Sequence, residues 1–368
     1  MRIVQIIDSL EPGGAERMAV NYANALSEKV EFSGLISTRK EGLLLNQINK
    51  KVSYLFLNKN KKIDFKVVFT LRRFLKNNQI NLIQAHSSSF FTAVLVKIIY
   101  PKIKIVWHDH YGISQDLNLR KNLVLKLSSF FFGGIISVNS ALKKWSESYL
   151  WCSNVKYFPN FVSDLSNTDE KILLKGVQGK RIVCVANLRP QKNHNLLLEA
   201  ASVISNQFPE WTFHLFGKDF LDSYSKQLKK KVKDLQLQES VFFYGAVNNI
   251  GDVLKNFDIA VLPSLSEGLP LAVLEYGLHK LPIVATNVGE ISKVIISDKY
   301  GLVVESNNLN QLVQSIQKLI ENENVRIEMG IELSKFIQLH YGQESIIKEY
   351  LFWVDSVFTF KVTDNSLL

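Results

Sequence analysis

Cysteine is scarce in this chain. Its 368 residues hold two, Cys152 and Cys184, far apart and in no metal-ligand spacing. Buried thiols in a reducing compartment are expected. Long apolar runs are missing too. No segment offers the roughly 20 uninterrupted apolar residues that a membrane-spanning helix needs. The opening MRIVQIID carries one Arg and an apolar run that ends at Asp8. It is too short for a signal peptide and reads as a first strand. The most hydrophobic patch, SSFFFGGIISV (128–138), is expected to be a buried strand. There is no GxGxxG fingerprint, no persuasive DxD pair, no internal repeat and no low-complexity tract. A nucleotide cofactor of the common dinucleotide kind and a bound divalent metal are therefore not expected.

What is present suffices for two ordinary domains with real cores: 46% of residues are hydrophobic and 21% charged. The net charge of +10 is uneven. Residues 1–163 carry 23 Lys/Arg against 10 Asp/Glu, and residues 164–368 carry 21 against 24. The basic half could face an anionic membrane surface, a phospholipid or a polyphosphate lipid. A lysine-rich solvated surface explains it equally well.

Both halves alternate short apolar runs with helical patterns. RIVQIID is followed by AERMAVNYANALS, whose Ala15, Met18, Ala19, Tyr22, Ala23 and Leu26 share one helical face. FSGLIST, VSYLFL, INLIQAH, KIKIVWHDH and GGIISVN continue the series, and KRIVCVAN (180–187) restarts it. Such alternation predicts parallel βαβ units, and two series predict two doubly wound domains. The expected division is residues 1–163, a linker at 164–179 within a polar stretch, residues 180–344, and a last amphipathic, aromatic-rich helix from 345.

In doubly wound sheets ligands bind beyond the carboxyl ends of strands, beside helix N-termini. Four strand-to-helix turns stand out. SLEPGGAER holds Gly13 and Gly14, which let a ligand approach the backbone at a helix start; an ordinary tight turn explains the pair as well. ANLRPQKNH sets Arg189 and Lys192 before a helix, a pattern suited to a diphosphate. WHDHYG carries His108 and His110 at a strand end, with His86 at another. The expectation is that His108 and His110 take opposite faces, so that one enters a cleft and no metal pair forms. PSLSEGLPLAVLEYG holds Ser264, Glu267, Gly268, Leu269, Pro270 and Glu275. Pro270 is expected at the first helical position, with Glu267 in the loop and Glu275 about one and a half turns into the helix. Eight residues along a helix return to nearly the same side, offset by about 80°, so both acids could line one cleft. Carboxylates accept from sugar hydroxyls and repel phosphate. Two cations for a diphosphate flanked by two acids for hydroxyls describe a nucleotide-sugar site.

These residues resemble a known family. The E-x7-E of SEGLPLAVLE, together with DSLEPGGAERMAV, FPNFV, ANLRPQKNH, VFFYGAV, DIAVLPS, LPIVATNVGEI and YGLVVE in the same order, is similar to retaining glycosyltransferases of the GT-B fold, family four. The resemblance is strong over 181–305 and looser before 160. It implies two Rossmann-like α/β domains facing across a cleft, an acceptor-binding one first and a nucleotide-sugar-binding one second, with the last helix crossing back to the first domain. It implies that Glu275 binds ribose hydroxyls. Glu267, with the Gly268 and Leu269 amides, would hold the donor sugar, alongside Ser264 and Pro270. Lys192 would neutralise the diphosphate, with Gly13 and Gly14 nearby. Many members have an Arg where this chain has Asn187, so Arg189 would serve the same phosphates. His110 aligns with the family's active-site histidine, and His108 and His86 remain acceptor-side candidates. The implied function is transfer from a nucleotide-diphosphate sugar, UDP being the commonest, to a glycan or polyprenyl-diphosphate-linked acceptor in surface polysaccharide assembly. No metal or cofactor and no nucleic acid is implied, and the setting would be cytoplasmic or peripheral at the inner face of the cell membrane. Two other readings stay open: a nucleotide-sugar epimerase of the same architecture, and a non-catalytic sugar-binding or partner protein.

Overall fold

The computed structural model describes residues 1–111, 117, 120, 122–163, 172–247 and 249–359. The chain forms two compact units: Met1–Phe161 together with the segment from Gln343, and Val162–Gly342. The fold class read from the sequence is the one observed, two doubly wound parallel-sheet units of the GT-B kind.

The first unit contains β1 (Arg2–Ser9), β2 (Phe32–Lys40), β3 (Ser53–Phe56), β4 (Leu82–His86), β5 (Lys104–Asp109), β6 (Gly134–Ser137) and β7 (Val155–Tyr157). They form one parallel sheet in the order β3-β2-β1-β4-β5-β6-β7. Helices cover both faces of such a sheet, so its central strands bury nearly every side chain; Leu82–His86 is buried throughout. The strand order reverses between β1 and β4. The helix Gly14–Leu26 buries every residue from Met18 to Leu26, so its cover extends all round and beyond the single face expected from its spacing, and Ala15 of that face is only half-buried. Tyr22 is a hub. Its ring meets those of Phe161 at 5.0 Å and Tyr350 at 5.2 Å. Tyr350 belongs to the last helix, Gln343–Phe358, which also sets Trp353 against Phe158. Phe358 and Trp353 lie so close to Gly133 and Gly134 that added Cβ atoms would stand 2.2 and 2.8 Å from them.

The second unit contains β8 (Arg181–Val185), β9 (Thr212–Phe216), β10 (Val241–Gly245), β11 (Ile259–Leu262), β12 (Ile283–Thr286) and β13 (Leu302–Val304), ordered β10-β9-β8-β11-β12-β13. Its order reverses between β8 and β11. Those two strands carry ANLRPQKNH and PSLSEGLP at their carboxyl ends.

Two expectations are corrected here. The patch 128–138 is not one buried strand: only Gly134–Ser137 is strand, and Ser129–Phe131 is a short 3-10 turn with Phe130 74% exposed. The Ser129 hydroxyl donates to the Lys126 carbonyl at 2.7 Å and accepts from the Trp151 amide at 2.9 Å, which stabilises a turn in place of a ladder. Pro270 precedes the helix Leu271–Leu278 as its cap, in extended backbone, rather than opening it. Both cysteines are free and buried. No helix among the described residues is long and apolar enough to cross a membrane.

Close packing of helices in the second unit depends on glycine. A Cβ on Gly330, in the helix Glu323–Tyr341, would stand 1.9 Å from the Lys280 carbonyl oxygen. Gly14, by contrast, has nothing within 4 Å of an added Cβ. Gly330→Ala is therefore expected to cost about 1–3 kcal/mol by overpacking, and Gly14→Ala to be neutral or slightly stabilising. Urea unfolding midpoints check this; equal midpoints for the two variants would contradict the packing argument.

Candidate functional site

In the second unit the reversal point brings the two loops together. Lys192 ends the 3-10 turn Pro190–Lys192 that follows β8. Its ammonium donates to Glu267 Oε1 at 2.5 Å. The Ser264 hydroxyl donates to the same oxygen at 2.6 Å. Ser264 is fully buried and Glu267 is 6% exposed, so the carboxylate is held by a cation and a hydroxyl in a largely dry setting. Backbone contacts lock the arrangement. The Leu265 amide donates to the Gln191 carbonyl at 2.8 Å, tying loop to loop. The Thr286 hydroxyl donates to the Ser264 carbonyl at 2.5 Å, and the Glu290 amide to the Gly268 carbonyl at 2.9 Å. Gly289 turns with φ +62°, and a Cβ there would stand 2.2 Å from the Glu267 carbonyl oxygen.

Glu275 is half-buried, the fifth residue of Leu271–Leu278. Residues 263–270 are not helical. The expected 80° offset between the two acids therefore has no meaning: Glu267 lies on a loop in front of the helix and Glu275 on the helix itself. The next residue, Tyr276, anchors this helix to β8 through its hydroxyl oxygen, which accepts from the Val185 amide at 2.6 Å. Beside it, burial pushes the Cys184 thiol up to about 12, so this cysteine stays protonated.

Arg189 does not join Lys192. It is exposed, and its guanidinium lies over the Phe220 ring at 4.7 Å. Asn187, at the position where an Arg was expected from the resemblance, accepts from the Lys218 amide at 2.7 Å and joins the loops after β8 and β9.

In the first unit the reversal point gathers histidines. His86 ends β4, His108 lies on β5 and His110 just beyond it. The expectation of opposite faces for His108 and His110 is wrong: residues two apart along a strand share a face, and the two rings lie 4.0 Å apart between centroids. His86 Nδ1 and His110 Nε2 are 3.0 Å apart, and His86 Nε2 meets Gln5 Oε1 at 2.8 Å. His108 Nδ1 meets Gln84 Nε2 at 2.9 Å. Burial lowers all three pKa values, His110 to about 3, so all are neutral imidazoles near pH 7. Ring nitrogens of the three lie within 4.8 Å of one another, so this is the group among the described residues whose spacing could hold a cation. As placed, His86 spends both nitrogens on Gln5 and His110, and a metal would have to open that bond.

Gly13 caps the helix Gly14–Leu26 in extended backbone that any residue adopts, and Gly14 is exposed at its first position. Sequence reasoning missed Asp109 and Arg120, a bidentate pair at 2.6 and 2.8 Å in which the carboxylate is buried and the guanidinium partly so. It also missed Gln5 and Gln84, although an amide inside each of the apolar runs RIVQIID and INLIQAH was a visible signal.

Comparison with known proteins follows this geometry. Residues 166–335 match the sequence model described as glycosyl transferases group 1, and residues 12–164 that of glycosyltransferase family 4. The chain is 27% identical to an uncharacterised glycosyltransferase of Haemophilus influenzae over 92% of its own length and 95% of the relative's. It is 25% identical to the Escherichia coli UDP-Gal:α-D-GlcNAc-diphosphoundecaprenol α-1,3-galactosyltransferase, covering 85% and 86%. The crystal structure of Anabaena HepE in complex with UDP-glucose superimposes with a TM-score of 0.76 at 16% identity, covering 97% of this chain and all of that one.

The buried histidines make a pH prediction. His110 and His214 are lowered to about 3 and His194 to about 4, with His86 and His108 lower than usual as well. An unfolded chain binds their protons near pH 6.5, and the folded chain does not. Stability should therefore be level above about pH 7 and fall as the pH drops from about 6.5 toward 5, before most carboxylates titrate. A thermal melt series across pH 8 to 5 checks this. A flat Tm over that range would mean that the histidines are not held neutral.

Proposed function

We propose that this chain, a glycosyltransferase of the GT-B fold, moves a sugar from a UDP-sugar to a hydroxyl of a lipid-linked glycan, with retention at the anomeric carbon and without a metal ion. The observation that carries the reading is the Lys192–Glu267–Ser264 cluster at the carboxyl ends of β8 and β11, with Glu275 on the helix that follows. The cluster joins a cation for a diphosphate to a carboxylate for sugar hydroxyls, at the place where parallel sheets bind ligands. The Escherichia coli relative acts from UDP-Gal on a diphosphoundecaprenol-linked sugar, and HepE was crystallised with UDP-glucose; both support the choice of donor and acceptor class.

In this reading the donor diphosphate takes over the Lys192 ammonium, and Glu267, still accepting from the Ser264 hydroxyl, accepts from a sugar hydroxyl in its place. Glu275 accepts from the ribose hydroxyls. The positive end of the helix Leu271–Leu278 and the Lys192 charge stabilise the leaving diphosphate in place of a divalent ion. Arg189 would add to that charge by leaving the Phe220 ring. The bond between the anomeric carbon and the β-phosphate oxygen breaks, and the acceptor oxygen bonds to the same face of that carbon. The departing phosphate oxygen takes the acceptor's proton, so no side chain needs to be consumed. His110, neutral at physiological pH, suits a hydrogen bond to a sugar hydroxyl and not ion pairing. The basic residues of the first unit would favour an anionic membrane surface bearing the acceptor.

Titration of the purified protein with UDP-, GDP-, ADP- and dTDP-sugars, with and without EDTA, tests the donor reading. Saturable UDP-sugar binding that survives EDTA is expected. Glu275→Ala should abolish it, and Lys192→Gln should lower kcat by about 10²–10³-fold. Full turnover in Glu275→Ala would remove the site assignment, and loss of binding with EDTA would remove the metal-free mechanism.

A further inference from the structure

The first unit carries an apolar surface that the sugar chemistry does not use. The helix Leu123–Ser128 turns Leu125 into the core at 2% exposure. Its other face is equally apolar and points outward. Leu123 is 70% exposed, Val124 50% and Leu127 51%, and the same chain continues to Phe130 at 74%. Positions i, i+1, i+4 and i+7 form one stripe on a helix. A helix facing water would carry polar side chains there. Trp151, 56% exposed, stands alongside, because its amide is held by the Ser129 hydroxyl and Lys126 lies over its ring at 5.7 Å.

Cations border this stripe. Phe130 forms part of the wall of an open cavity of about 380 Å³, shared with Phe131, Phe132 and Phe358, and Lys97 and Lys104 line the same cavity. Among the described residues the Lys97 ammonium donates to backbone carbonyls, those of Pro101 at 3.0 Å and Ile103 at 2.5 Å. Burial and the adjacent Lys104 charge lower its pKa. Among the described residues no ion pair involves Lys97, Lys104 or Lys126. Two neighbouring ammonium groups that meet no carboxylate among the described residues, at the rim of an aromatic-walled cavity, favour a bound anion. Next to them an aliphatic and aromatic stripe favours hydrocarbon.

We infer that this face of the first unit docks on an anionic phospholipid bilayer, with Leu123, Leu127 and Phe130 entering the acyl boundary and Lys97, Lys104 and Lys126 meeting headgroup phosphates. Tryptophan is enriched at that depth of a bilayer, with its ring amphipathic between tail and headgroup, and the placement of Trp151 agrees. Charge decides between occupants. A second copy of the chain, docked face to face, would oppose lysine to lysine, whereas an anionic bilayer complements them. The inference deepens the proposed lipid-linked acceptor, and rests on that reading only for why the docking would matter.

The test is flotation of the intact protein with vesicles of phosphatidylcholine, with and without phosphatidylglycerol. Binding to the anionic vesicles at least tenfold above the neutral ones is expected. It should be lost in Leu127→Glu/Phe130→Glu, and become weak in Lys97→Gln/Lys104→Gln, while UDP-sugar titration is unchanged in both. Because a charged variant could fail to fold, brominated phosphatidylcholine mixed into anionic vesicles gives a second readout: it should quench the fluorescence of the native chain and quench Trp151→Phe much less. Equal affinity for both vesicle types, unchanged binding in the glutamate variant, or quenching indifferent to Trp151 would each overturn the inference. So would a dimer that buries this face and does not float. Failed flotation with donor binding intact would sink the docking face alone; failed donor binding with flotation intact would sink the transferase reading alone.

Discussion

The ion pair between Lys192 and Glu267 is the interaction around which the second unit is organised. A parallel sheet covered on both faces has no room for charge in its interior, so its polar chemistry is displaced to the carboxyl ends of the strands. The strand order parts at β8 and β11, and the loops from those strands diverge to opposite faces of the sheet. Lys192 and Glu267 bridge them at 2.5 Å. A buried carboxylate left without a partner would be strongly destabilising. The pair therefore couples the positions of two loops 75 residues apart. The surrounding hydrogen bonds, from Thr286, Leu265 and Glu290, fix the backbone around the pair.

The first unit answers the same constraint differently. Its reversal point, between β1 and β4, gathers neutral imidazoles and amides next to the Asp8 carboxylate, which accepts from the Ser88 hydroxyl at 2.7 Å and pairs with Arg39 at 3.8 Å. Desolvation lowers the histidines' pKa values, and the nearby Asp109 is already engaged by Arg120. One unit thus sets a single cation on a carboxylate at its reversal point, and the other places neutral imidazoles beside carboxylates already engaged by arginines. That difference follows from what each reversal point buries. It agrees with a division between a diphosphate donor and a hydroxyl acceptor.

Legibility differed by kind of feature. Strands, helices, the restart near residue 180 and the loops bearing Lys192 and Glu267 could be read from periodicity and turn chemistry. Errors came where apolarity had more than one destination. SSFFFGG looked like core, and the structure puts Phe130 outside, because the serines close a turn and aim the stripe away from the sheet. The parity of His108 and His110 was readable and was misassigned. The place of Arg189 was not readable: whether it turns to Phe220 or to Lys192 depends on the loop after β9, which no local pattern specifies.

Sequence alone therefore determined the alternation of strand and helix, the existence of two parallel-sheet units, and the residue types available for a nucleotide-sugar. These are local properties, set by side-chain period, by Gly and Pro at turns, and by a few spacings. Tertiary structure decided which of those residues meet. Glu267 with Lys192, three histidines gathered by β4 and β5, and an aliphatic stripe beside lysines that meet no carboxylate among the described residues are long-range outcomes of strand order and helix docking. A hydrophobic period states that a face will be covered. Only the folded neighbours state by what, and which apolar face is left without cover.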